Sequence, residues 1–243
     1  MILEPGGNLE FTFENLPLPL HSKANDLSDP ACLRASLPDE WNPHDAFPIL
    51  VHLQGYTGGN AFNVDTVRKT AGNYPHICVT MPLFKKHLDP EEVHGGIMLS
   101  AHDDFSILSR CYKKMLGALF HELPHVDPSR SAFGGFSNGA HATAVLLSGV
   151  DPFLLRHFQR FFFLDGGFHI ASLHKTALRQ KKFVYFIGGL RRKIFRRQLV
   201  DNMTVRQYQA RKSGLDFTVH TMPGIEHAFP DEYLPTFREY VLG

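Results

Sequence analysis

Three stretches of this 243-residue chain carry groups that could act together on a carbonyl carbon. The first is Gly135-Phe136-Ser137-Asn138-Gly139. Its G-x-S-x-G spacing suits a sharp strand-to-helix turn that presents a serine hydroxyl at its apex, with glycines where flanking side chains would collide. Ser137 is the candidate nucleophile. A hydroxyl needs a general base within hydrogen-bond reach. Among 15 histidines, His227 stands out, because Pro223-Gly224-Ile225-Glu226-His227-Ala228-Phe229-Pro230 follows the last expected strand. From such a loop it can reach back to the serine, and the chain order serine then histidine suits that pairing. The third stretch is Gln54-Gly55-Tyr56-Thr57-Gly58-Gly59. Its glycines allow close backbone approach, so the N–H of Tyr56 and the N–H of Asn138 are the expected donors to a developing oxyanion.

A carboxylate should complete the set by fixing the tautomer of the imidazole and stabilising its charged form. Asp165, at the end of the strand expected over Arg160 to Leu164, is the first candidate. Asp201 is the alternative, although an acid near a helix N-terminus needs no further explanation. Glu226 adjoins His227, but its side chain should point away from it.

These residues need a frame that gathers them at one edge. Leu9 to Glu14 alternates apolar and polar, and Cys32 to Leu37 does so more weakly, as N-terminal antiparallel strands would. Buried strands are expected at Phe47–Leu53, His76–Met81 and Ser131–Gly134, and further strands at Arg160–Leu164, Lys182–Ile187 and Leu215–Met222. Helices are expected near Ala61–Ala71, from Asp103 and Asp104 to about His121, after the Ser137 turn, at Val200–Lys212 and at Asp231–Val241. The alternation from about residue 47 onward predicts an α/β fold with a mostly parallel sheet covered on both faces, in one domain over residues 1–243. Ligands of such sheets bind outside the carboxyl ends of the strands, where all three stretches fall.

Composition narrows the possibilities. A net charge of +1 gives no pull toward nucleic acid, and no apolar run is long enough to span a bilayer. Three distant cysteines argue for a reducing compartment, and the first residues lack the pattern of a secretory signal, so a cytoplasmic location is expected. The His94, His102, Asp103, Asp104 cluster matches no zinc spacing, and no phosphate or dinucleotide loop occurs, so neither metal nor cofactor is expected. Arg191-Arg192-Lys193-Ile194-Phe195-Arg196-Arg197 reads as a solvated basic loop or as a rim that attracts anionic substrates.

The three stretches, with Val126-Asp127-Pro128-Ser129-Arg130 ahead of the serine, resemble the α/β-hydrolases over about residues 47 to 241. The nearest resemblance is to esterases of the feruloyl esterase, polyhydroxybutyrate depolymerase and dienelactone hydrolase groups. Gln54 stands where the family's oxyanion loop usually has His. The loop after the strand at Lys182–Ile187, where the family usually places its acid, holds no carboxylate. The resemblance implies a Ser-His-acid triad, an acyl-enzyme and a small-molecule ester substrate. A serine peptidase, a thioesterase or a catalytically weak binding protein on the same fold are the alternatives.

Overall fold

The computed structural model describes residues 3–16, 30–55, 59–84, 104–167, 176–189 and 193–243, with only the backbone at 193–196. Eight strands join in one sheet: β1 (Asn8–Phe13), β2 (Ala31–Ser36), β3 (Ile49–Leu53), β4 (Ile77–Met81), β5 (Ala132–Phe136), β6 (Arg160–Leu164), β7 (Lys182–Gly188) and β8 (Asp216–Met222). Their order is β1-β2-β4-β3-β5-β6-β7-β8. β3 to β8 run parallel, and β1 and β2 extend one side as antiparallel strands.

The central strands are apolar throughout because both faces are covered, and their side chains divide with a period of two. Phe161, Phe163, Phe183 and Tyr185 turn to one face and pack with Leu108, Met115 and Leu146. The last of these lies on α3 (Asn138–Ser148), the others on α2 (Phe105–Glu122). Phe162, Leu164, Val184 and Phe186 turn to the other face, with Val67 and Phe237. Val67 belongs to α1 (Asp65–Ala71). Much of the chain's phenylalanine is thus spent on the sheet, in stacked pairs such as Phe163 on Tyr185 with ring centroids 4.1 Å apart.

Three elements differ from the sequence reading. α4 (Pro152–His157) was not foreseen, although Asp151 caps it by accepting the N–H groups of Phe153 and Leu154 at 2.9 Å, with Pro152 in the first turn. α5 (Lys193–Lys212) starts seven residues before Val200, so most of the stretch read as a basic loop is helix. Arg, Lys, Gln and Leu are good helix formers, but basic residues at a helix N-terminus oppose the macrodipole, which hid the boundary. The last expected helix is broken into a 3₁₀ turn at Asp231–Tyr233, α6 (Leu234–Phe237) and a π turn at Arg238–Leu242. Pro235, which cannot donate a backbone hydrogen bond, sits at the start of α6.

Candidate active site

Ser137 lies between the end of β5 and the start of α3 with φ 52° and ψ −112°, a conformation that L-residues rarely adopt. Such a residue persists only where its surroundings impose the strain, and here they do. Its N–H still belongs to the ladder, donating to Leu164 O at 2.8 Å, while the chain beyond it turns into α3. The glycines on either side permit this turn by contact: a Cβ on Gly135 would lie 2.5 Å from Leu53 O, and one on Gly139 2.4 Å from the same oxygen. The end of β3 therefore fits into the elbow only because both positions lack a side chain.

The neighbouring strand ends in a similar way. Asp165, just past β6, has φ 44° and donates its N–H to Phe186 O at 2.8 Å. Its carboxylate is fully buried, so it requires partners. Oδ1 accepts the Gly188 N–H at 2.9 Å, and Oδ2 meets His227 Nδ1.

His227 comes from the loop after β8, and the end of β7 lets that loop approach. A Cβ on Gly188 would lie 2.1 Å from Glu226 O, so any other residue there would push the loop away from Asp165. The Phe136 ring lies against the imidazole with centroids 4.9 Å apart. With Nδ1 facing a carboxylate, the ring proton sits on Nδ1 and Nε2 is the acceptor. Ser137 Oγ lies 2.8 Å from Nε2 and donates to it. A continuous chain of hydrogen bonds thus runs from Gly188 N–H through Asp165 and His227 to Ser137. Such a chain can accept the serine proton as the oxygen attacks an electrophile.

The other sequence candidates fall as follows. Asn138 is the first residue of α3, in the turn whose N–H groups point out of a helix N-terminus. Tyr56 lies outside the described residues. Gly55, beside it, approaches the nucleophile closely, since a Cβ there would lie 3.0 Å from Ser137 Cβ. Asp201 is exposed on α5, and His227 Nδ1 faces Asp165 instead. Glu226 is exposed. His94, His102 and Asp103 lie outside the described residues, as do Leu190 to Arg192 and the side chain of Phe195; among the described residues no cluster of three metal-ligating side chains occurs.

A cavity of about 450 Å³ opens beside His227, between α1 and the loop carrying His227. Phe62, Phe136, Leu164 and Phe229 line it together with His52. Two positioning residues had no sequence signal. Gly188 acts through a contact with Glu226, 38 positions away, and Phe136 is the unspecified second residue of G-x-S-x-G.

No protein-family model matches the chain, and no curated protein resembles it in sequence. Solved structures do match its fold. A ferulic acid esterase superposes with a TM-score of 0.59 at 16% identity, over 99% of this chain and 100% of the other. A dienelactone hydrolase-like promiscuous phosphotriesterase from metagenomic libraries gives 0.59 at 15% identity, over 94% and 87%. An S-formylglutathione hydrolase from Agrobacterium tumefaciens gives 0.55 at 12% identity, over 100% and 98%. The chain therefore has the α/β-hydrolase fold, and the mostly parallel sheet with two antiparallel N-terminal strands agrees with the architecture expected from the sequence. No described helix is long and apolar enough to cross a membrane.

Proposed function

We propose that this protein is a serine hydrolase that cleaves small-molecule carboxylic esters through an acyl-enzyme. The observation that carries the reading is the hydrogen-bonded chain Asp165–His227–Ser137, set at the carboxyl edge of the sheet beside a cavity. The neighbours' hydrolase names agree with it.

In this reading Ser137 Oγ attacks the ester carbonyl as His227 Nε2 takes its proton. The negative charge that develops on the carbonyl oxygen is held by the Asn138 N–H and by the N–H of Tyr56, the latter on sequence grounds. His227 then gives its proton to the departing alcohol oxygen, leaving the acyl group on Ser137. Water attacks the acyl carbon with His227 as base and releases the acid. Asp165 keeps the Nδ1–H tautomer and stabilises the imidazolium formed twice per turnover. A buried carboxylate is costly to hold, and the Gly188 N–H offsets part of that cost.

The test is turnover of a p-nitrophenyl ester by the purified protein. Ser137→Ala should remove it to the level of buffer. Turnover that persists in the variant contradicts the mechanism.

A further inference from the structure

Both ring nitrogens of His227 are engaged, Nδ1 by Asp165 and Nε2 by Ser137. What remains of the imidazole is its faces, and Phe136 lies against one of them. The ring centroids are 4.9 Å apart and the planes are 30° from parallel. An edge-on pair would stand near a right angle, as Phe162 and Phe237 do at 85°. Rings lying side by side in one plane could not come so close. The imidazole therefore meets the face of the phenyl ring in an offset stack. Among the described residues, no other aromatic ring stacks on His227.

The fold keeps the ring in that place. Phe136 is the last residue of β5 and directly precedes the strained Ser137, so the elbow that fixes the hydroxyl also fixes the ring. Gly55 leaves it room, since a Cβ there would lie 2.7 Å from Phe136 Cδ1. The ring is half-buried, which limits how far water screens a charge beside it.

The electrostatics of this pair change during the reaction. The face of a phenyl ring is negative and its edge positive. A neutral imidazole gains little from that face beyond ordinary stacking. When Ser137 Oγ passes its proton to Nε2, the imidazole becomes a cation, well within the ~6 Å over which a ring face attracts positive charge. The attraction is given up again when the proton moves to the departing alcohol. An interaction that strengthens only as the charge forms stabilises the transition state more than the ground state, and so raises kcat. A second carboxylate in the same place would favour the charged form too strongly for the proton to leave. The weaker pull of a ring lets it go.

We infer that Phe136 acts through His227 as well as holding it: the ring face stabilises the imidazolium formed at each proton transfer, and adds to what Asp165 supplies. The inference rests on the proposed role of Ser137, without which His227 gains no proton.

Fluorine withdraws electron density from the ring face with little change of shape, and so separates this role from a steric one. Phe136 is replaced by 3,4,5-trifluorophenylalanine and by pentafluorophenylalanine. Turnover of p-nitrophenyl acetate and the rate of Ser137 labelling by a fluorophosphonate are measured for each, and urea unfolding shows that each is folded. Both kcat and the labelling rate should fall by roughly threefold with the trifluoro ring, which nearly cancels the charge of the face, and by roughly tenfold with the pentafluoro ring, which reverses it. KM should not follow the series. If the pentafluoro protein does not fold, the 4-fluoro ring supplies the second point, with a loss smaller than the trifluoro one. Equal rates across the folded proteins overturn the inference, as do rates that rise with fluorination. In those cases turnover and labelling survive and the hydrolase reading stands. A wild-type protein that neither labels nor turns over the ester overturns both.

Discussion

A serine, a histidine and an aspartate meet at each end of the sheet, yet only one group forms a relay. At the carboxyl ends of the parallel strands, Ser137, His227 and Asp165 are joined by hydrogen bonds. At the amino ends, Ser36, His76 and Asp39 line one cavity of about 240 Å³. There Ser36 Oγ has no hydrogen-bond partner, and Asp39 pairs with Arg68 at 3.1 Å. Residue types therefore do not make a site. The difference lies in the backbone. Ser137 and Asp165 are two of the three described non-glycine residues with positive φ, and each sits just past a strand end with its N–H still in the ladder. The turns aim two side chains at one point, and Gly188 lets the third arrive. Ser36 lies within the regular strand β2, and no such turn aims it at His76.

The largest effect should separate the two serines. Ser137→Ala removes ester turnover, whereas Ser36→Ala stays within about twofold of wild type in kcat/KM, since a surface or orphaned group far from the reaction has no transition-state role. Equal losses would break the comparison. Next is the acid. Asp165→Asn keeps the shape but favours the wrong imidazole tautomer, and kcat should fall by roughly 10³- to 10⁴-fold. Asp201→Asn, on the exposed face of α5, should leave kcat unchanged. If Asp201 proves the sensitive position, the relay has been assigned to the wrong carboxylate.

Gly188→Ala tests how the histidine is delivered. The added methyl would collide with Glu226 O and shift the loop, and a displacement near 1 Å can cost on the order of 10²-fold in kcat. KM should change much less. An unaltered kcat would mean that the loop does not depend on close approach to β7.

The amino end should appear in stability rather than in rate. Burial lowers the pKa of His76 to about 4, against 6.5 for the free side chain. The unfolded chain therefore takes up a proton in a window where the native protein does not. His76 contributes its full stability above pH 6.5 and loses it as the pH falls toward 4. At pH 5 the loss is about 2 kcal/mol from this residue. Urea unfolding at pH 7 and pH 5 measures it, and His76→Leu should shrink the difference between the two pH values by about that amount. An undiminished difference would show that His76 is not held neutral.

Much of this was legible in the sequence, for local reasons. The spacing around Ser137 describes a turn whose sterics involve five adjacent residues. His227 follows the last expected strand, and Asp165 ends one of apolar character. The roles of Gly188 and Phe136 depend on contacts between segments that only the folded sheet brings together, so no local pattern marks them. The basic start of α5 was misread because its charge opposes the usual helix preference while its propensity favours a helix. α4 was missed although Asp151-Pro152 is a good capping pair, because its six residues are too few for a periodic signal.

The central claim is that the relay makes Ser137 a nucleophile. Treating the native protein with a fluorophosphonate, then mapping the adduct by peptide mass spectrometry, tests it most directly. A single phosphonyl adduct on Ser137, absent from Ser137→Ala and strongly slowed in Asp165→Asn, is the predicted result. A native protein that takes up no label, or carries it on another residue, would contradict the account.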